Sequence, residues 1–187
     1  MILAVVAIVA VGGLAAVLAI VALRPKDAAV ASAGTIVIPQ TLGGMAQSND
    51  PTVKLVTAGM QSEAQTSMKS AEKFKVMGYG DVSKFALLIV VQSAPGESTP
   101  TADQVLRAIA GQAEGQKVSA DATTSFTPPK PVGDSSCVTQ SVSTATVTKV
   151  VGTTCARIVG VEAIMVMSQP ADATATVGMV DAAAAAQ

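Results

Sequence analysis

The first 23 residues contain no charged and no hydrogen-bonding side chain. A helix of that length rises about 34 Å, enough to cross a hydrocarbon core of about 30 Å. In lipid the backbone has to pair its own polar groups, which a helix does. We therefore predict a transmembrane helix over residues 1–23, embedded in the lipid bilayer. Arg24 and Pro25 end the apolar run, and residues 24–34 form a linker of mostly small residues.

A cleaved signal peptide is the alternative interpretation of this N-terminus. Ala31-Ser32-Ala33 before Gly34 has the small-residue pattern of a cleavage site. The apolar run, however, is longer than the core of about 7–15 residues that signal peptides carry. The candidate site also lies beyond the charged residues that follow the run. The sequence favours the anchor and leaves cleavage open.

Residues 35–187 are enough for one domain with its own hydrophobic core. The chain has 12 basic and 13 acidic residues, for a net charge of −1, and they are scattered along it. Nucleic-acid binding needs a basic stripe, so we predict no nucleic-acid partner. Three Phe, one Tyr and no Trp also leave few aromatic side chains for stacking on bases or sugars.

Two cysteines, Cys137 and Cys155, lie in segments where valines alternate with Thr, Ser and Gln. That alternation predicts two strands, which pair most simply as antiparallel neighbours. Such pairing predicts a disulfide, worth about 3 kcal/mol in the chain-entropy model. The chain has no histidine, and the cysteine spacing fits no zinc motif. Two unpaired, buried cysteines are the alternative.

The side of the membrane follows from two signals that disagree. Arg24 and Lys26 beside the apolar run favour a cytoplasmic domain by the positive-inside rule. A disulfide instead favours an oxidising compartment, and we give it the greater weight. The expected location is the plasma membrane, with one membrane pass and an extracytoplasmic C-terminal domain.

The pattern beyond the linker predicts an α+β fold, a small and mostly antiparallel sheet with two or three helices packed on it. Phe85–Val91 is a continuous apolar run, typical of a central strand buried on both faces. Thr101 and Gln104 form a capping box that opens a helix. The other expected elements are a strand at 35–38, a helix at 52–76, a break at 78–80, the cysteine hairpin, a strand at 161–167, and a helix from Pro170 to about Ala186.

The residues offer little catalytic chemistry, since a chain without histidine has no Ser-His or Cys-His pair. Serine–lysine pairs remain, and Ser70 with Lys73 has the S-x-x-K spacing of penicillin-binding proteins but not their partner motifs. We interpret them as solvated residues, the methionines as core rather than copper ligands, and Tyr79 as a partly exposed contact. We expect no metal or cofactor site. The remaining candidates are the pairs Ser67–Lys69 and Ser83–Lys84, and the isolated carboxylates Asp81, Asp103, Glu114 and Asp121.

Residues 35–45, Thr-Ile-Val-Ile-Pro-Gln-Thr-Leu-Gly-Gly-Met, follow the predicted anchor and linker. Tyr79-Gly80-Asp81 then precedes the apolar run, and the two cysteines come late in the chain. In this order the sequence resembles uncharacterised single-pass membrane proteins of actinobacteria with an exported two-cysteine domain. The resemblance implies the same topology and no particular activity. Ala156-Arg157 stands where those proteins commonly have Trp.

The sequence thus predicts a non-enzymatic interaction or accessory module of the cell envelope, held at the membrane by residues 1–23. Its expected partners are the bilayer and an envelope protein. Two alternatives belong to other classes. One is an envelope hydrolase that uses a Ser-Lys pair, and the other is the sensory ectodomain of a transmembrane regulator.

Overall fold

A computed structural model describes residues 35–67, 73–93, 99–119 and 121–187 of the chain. The predicted helix at 1–23 and the linker at 24–34 lie outside these ranges, as do Met68, Lys69 and Ser70. Within the described ranges, no helix combines the length and apolar character that a membrane crossing requires.

The described residues form three helices and ten strands in mixed order. Eight strands make one sheet in the order β3-β4-β10-β9-β8-β6-β5, with β7 also paired to β8, and β1 pairs with β2 separately. All pairings are antiparallel, so the expected α+β fold with a mostly antiparallel sheet is confirmed. The elements are β1 Thr41–Leu42, β2 Met45–Ala46, α1 Pro51–Ser67, β3 Lys73–Asp81, β4 Lys84–Gln92, α2 Ala102–Ala113, β5 Lys117–Ser119, β6 Ala122–Phe126, β7 Lys130–Val132, β8 Ser135–Ser143, β9 Thr148–Val159, β10 Glu162–Gln169 and α3 Ala173–Ala184.

Helices cover both faces of this sheet, which explains the unbroken apolar run in β4. Leu87 and Ile89 pack into the core beneath α1 and α2. Leu88 and Val90 pack into the second core beneath α3. A strand covered on both sides carries apolar residues at every position rather than at alternate ones. The prediction of a central, doubly buried strand is therefore confirmed.

The core beneath α1 and α2 uses Val53 and Met60 from α1, and Leu106 and Ile109 from α2. The predicted capping box at the start of α2 is present. The Thr101 N–H donates to Gln104 Oε1 at 2.8 Å, and the Gln104 N–H donates to Thr101 Oγ1 at 3.2 Å. This reciprocal pairing fixes where α2 begins.

The second face is covered by α3 and by the extended segment 35–38. Ile36 is buried in the same core as Val180 and Ala183 of α3. The amide of Gln187, just beyond α3, accepts from the Val37 N–H at 3.0 Å and donates to the Val37 carbonyl at 2.9 Å. Residues 35–38 are therefore not a strand of the sheet, and that prediction is wrong. A side-chain amide takes the place of a neighbouring strand.

The predicted helix at 52–76 is wrong in its second part, because α1 ends at Ser67 and β3 begins at Lys73. Phe74 and Val76 are buried and alternate with exposed lysines, which is the period of a strand. The expected break at 78–80 lies inside β3. Gly78 is required there because a Cβ would stand 2.3 Å from Cγ1 of Val53 on α1.

The prediction that Pro170 opens the last helix is wrong, because α3 begins at Ala173. Pro170 ends β10, and Asp172 caps the helix by accepting from the Ala175 N–H at 3.0 Å. The short strands β5, β6 and β7 were not expected, because they are rich in Ser, Thr and Lys and lack an apolar run.

Candidate interaction surface

Cys137 and Cys155 form the predicted disulfide. The two residues lie directly opposite each other in the ladder between β8 and β9, with 4.1 Å between their Cα atoms. Both are buried in the core beneath α3. The bridge therefore fastens the two strands that carry the hairpin at 141–150.

The serine of the Ser83–Lys84 pair belongs to a turn rather than to a reactive site. Its hydroxyl donates to Asp81 Oδ1 at 2.6 Å, and its N–H donates to the same oxygen at 2.8 Å. These hydrogen bonds lower the pKa of Asp81. A hydroxyl held by a carboxylate is not positioned for activation by the neighbouring lysine. Ser70 and Lys69 of the other pairs fall outside the described residues.

The three other carboxylates lie in separate places. Asp103 accepts from the Ser136 hydroxyl and lies 3.8 Å from an Arg107 nitrogen. Glu114 accepts from the Phe126 N–H at 2.9 Å, and Asp121 is exposed in a turn. In the part of the chain that the structure describes, no three His, Cys, Asp or Glu side chains cluster as metal ligands.

The methionines are divided between the two cores, as the core interpretation requires. Met60, Met165 and Met167 lie beneath α1 and α2, whereas Met179 lies beneath α3. Tyr79, expected to be a partly exposed contact, is fully buried, so that prediction is wrong. Its hydroxyl donates to the Pro39 carbonyl at 2.7 Å, and burial raises its pKa to about 12.

A buried carboxylate that the sequence did not reveal lies at the start of β10. Glu162 is only 7% exposed, and one of its oxygens accepts from Gln92 Nε2 at 2.9 Å. Its other oxygen has no hydrogen-bond partner among the described residues. In the ladder, Glu162 lies opposite Gln92 and Val159, so no second carboxylate stands beside it there.

The outer side of β3, which we call the β3 edge, is covered by other parts of the chain. The Gln61 amide on α1 donates to the Phe74 carbonyl at 3.2 Å and accepts from the Val76 N–H at 3.2 Å. Further along, the Gly78 carbonyl accepts from the Ser48 N–H at 2.8 Å. Edge groups that are paired in this way cannot template another strand.

The first residues of β9, Thr148–Val151, form what we call the β9 arm. β8 pairs with the arm on one side. On the other side the ladder with β10 ends at Thr153 opposite Ser168. β10 stops at Gln169, because Pro170 has no N–H to continue the ladder. The arm therefore extends past its neighbour and leaves one side open.

The pairing pattern shows which backbone groups face that open side. The Thr144 N–H donates to the Val147 carbonyl at 2.8 Å, so this pair is hydrogen-bonded. Pairs alternate along an antiparallel ladder, which makes the next pair, Ser143 with Thr148, non-hydrogen-bonded, and likewise Ser141 with Val150. The N–H and C=O of Thr148 and Val150 consequently point away from β8. No backbone partner meets them there within the described residues.

The side chains of Thr148, Lys149 and Val150 in the arm are exposed as well. Val150 is 51% exposed, and Val147 at the preceding turn is 61% exposed. Lys149 is exposed and makes no ion pair with any described residue. The arm thus combines unpaired backbone groups, apolar surface and one free positive charge.

Segment 35–38 is joined to the C-terminal end of α3 by Gln187. That end lies beside the last residues of β9, where Arg157 pairs with Asp181 at 2.8 Å.

Comparison with known proteins gave no matching family model, no similar curated protein and no similar solved structure. The resemblance to actinobacterial membrane proteins therefore stays a prediction.

The sequence pattern assigns Lys149 and Val150 to the cysteine hairpin but does not reveal an open edge. One signal was available. Pro170 cannot continue a strand, so β10 ends at Gln169. The Val- and Thr-rich segment that begins after residue 146 is longer than β10 and extends past that end.

Proposed function

We propose that this chain is a membrane-anchored interaction module of the cell envelope, with residues 1–23 in the bilayer and residues 35–187 on the extracytoplasmic side. Its role is to hold a partner protein rather than to catalyse a reaction. The observation that carries this proposal is the β9 arm, a strand edge whose backbone groups have no partner among the described residues.

Three features support the proposal together. The apolar run at 1–23 has the length of a bilayer-spanning helix. The disulfide between Cys137 and Cys155 suits an oxidising compartment. The β9 arm offers a partner protein unpaired backbone groups beside the exposed side chains of Val147 and Val150.

Thiol labelling of intact cells tests the location. A membrane-impermeant maleimide is expected to label the two cysteines only after mild reduction, because they are oxidised and outside. Labelling that requires lysis but no reductant would place the domain in the cytoplasm and reject the proposed location.

Site-specific photo-crosslinking tests the interaction. A photoreactive residue at Val147, beside the arm, is expected to give a discrete adduct in native membranes. Leu55, which is 72% exposed on α1, provides a matched apolar control position that should give none. Equal products from both positions, or none from either, would contradict a role for the arm in holding a partner.

A further inference from the structure

The unpaired backbone groups on the open side of the arm can pair with one additional strand. Thr148 and Val150 each direct an N–H and a C=O outward, which is the repeat that an extended peptide satisfies in strand addition. Two residues of the arm therefore offer four backbone hydrogen bonds. Which peptide fits depends on the side chains that would stand opposite the arm.

A second copy of this chain fits poorly. An antiparallel pair of arms that joins all of these groups sets Thr148 opposite Val150 of the copy, and Lys149 opposite Lys149 of the copy. Like charges directly opposite each other destabilise a strand pair. Shifting the pair to set Val150 opposite Val150 of the copy brings Thr148 opposite Gly152 of the copy. The end of β10 already lies beside Gly152, because a Cβ there would stand 3.1 Å from the Ser168 carbonyl.

We propose that the β9 arm binds an extended segment of a partner protein that carries a carboxylate opposite Lys149 and apolar side chains beside it. The carboxylate pairs with the free ammonium of Lys149. An apolar side chain next to it covers Val150, which lies on the face of the sheet toward α3. This inference rests on the proposed function and specifies the chemistry of the partner.

A short end-blocked peptide containing Val-Glu-Thr-Val between polar flanks is the probe. In antiparallel register its first Val meets Val150, its Glu meets Lys149 and its Thr meets Thr148. The full chain in detergent micelles is titrated against the fluorescent peptide, and binding is measured by anisotropy at low salt. Lys149→Glu should weaken binding about five- to tenfold, because attraction becomes repulsion.

The control variant is Lys75→Glu, which makes the same charge change on an exposed lysine of the covered strand β3. It should leave binding unchanged. A peptide with Lys in place of Glu should show the reverse preference and bind Lys149→Glu better than the native chain. If Lys149→Glu and Lys75→Glu behave alike, the proposal is wrong.

Methylation of peptide nitrogens tests the backbone pairing. Methylating the N–H of the first Val or of the Thr removes a donor that faces the arm and should abolish binding. Methylating the Glu N–H, which faces away, should be tolerated. Binding that ignores these differences would exclude strand addition.

Sedimentation of the native chain without peptide tests the second-copy alternative. A dimer that Lys149→Glu alters and Lys75→Glu does not would assign the arm to self-association and overturn the proposal. These results are separable from the cellular tests. Crosslinks from Val147 with no peptide binding would retain the interaction module and reject the acidic partner, whereas cytoplasmic labelling with normal peptide binding would reject only the location.

Discussion

At the β3 edge and at the β9 arm alike, backbone groups of a strand lie beyond the ladder of the sheet, but among the described residues only those at the β3 edge have partners. There Gln61 imitates a neighbouring strand with one amide, and Ser48 pairs with the next carbonyl. At the arm, the outward backbone groups of Thr148 and Val150 have no partner in the part of the chain that the structure describes, and an exposed valine and a lysine lie beside them. Natural proteins commonly protect such edges by covering them or by adding charge. In this protein the β3 edge is covered. The β9 arm is open within the described residues and carries a single lysine, whose charge opposes pairing with a second copy.

We interpret this contrast to mean that a strand tolerates an unpaired edge where neighbouring strands hold the rest of it. β9 is bonded to β8 and β10 over most of its length and is joined to β8 by the disulfide. β3 has one neighbouring strand and depends on α1 and β2 for its other side. The predictions below perturb each side of this comparison in turn.

Removing the disulfide should have the largest effect. The double variant Cys137→Ala, Cys155→Ala is expected to lose about 3 kcal/mol of unfolding free energy, because the reduced chain is less restricted when unfolded. Urea denaturation followed by circular dichroism measures this loss. Native protein unfolded in the presence of a reductant should approach the variant. A variant as stable as the oxidised native chain would mean that the bridge does not stabilise β8 and β9.

Gly78→Ala should destabilise the covered side next. The new Cβ would lie 2.3 Å from Val53 Cγ1 and 3.2 Å from Thr57 Cγ2, so α1 has to move away from β3. Overpacking of this kind costs about 1–3 kcal/mol. The control is Gly59→Ala in α1, where a Cβ meets nothing within 4 Å and the helix gains up to about 1 kcal/mol. Equal urea midpoints for the two variants would show that α1 does not pack closely against β3 at Gly78.

Tyr79 makes the stability of the covered side dependent on pH. Its folded pKa of about 12 lies above the unfolded value of about 10. Its contribution is therefore complete below pH 10 and falls as the pH rises toward 12, by up to about 1.4 kcal/mol per pH unit. Since Tyr79 is the only tyrosine, tyrosinate absorbance reports this group directly.

Tyr79→Phe is the control for that titration. It should remove the tyrosine's share of the decline in unfolding free energy. A native tyrosine that ionises near pH 10 while the protein is still folded would refute the burial of Tyr79 between β3 and Pro39.

The sequence predicts some parts of the fold and of the candidate site but not others. The disulfide, the doubly buried β4 and the capping box of α2 follow from local patterns, because residue type and spacing alone determine them. The end of α1 does not, since Phe74 fits the helical spacing by coincidence and the buried alternation of β3 shows only in the assembled sheet. The open arm depends on the relative lengths of β9 and β10, which are a property of the ladder rather than of either strand.

Gln61→Ala is the smallest change and tests the comparison most directly. It removes both hydrogen bonds to the β3 edge and should cost about 1–2 kcal/mol, since each is worth about 1 kcal/mol. Gln65→Ala, an exposed position on the same helix, is the control and should cost little.

Amide exchange gives the decisive reading, because the Val76 N–H should be protected in the native chain and in Gln65→Ala, and should exchange quickly in Gln61→Ala. The Thr148 and Val150 N–H groups should exchange quickly in all three proteins, because nothing in the described chain pairs with them. Slow exchange at Val150 in the native chain would mean that the arm is already covered, and the difference between the two edges would disappear.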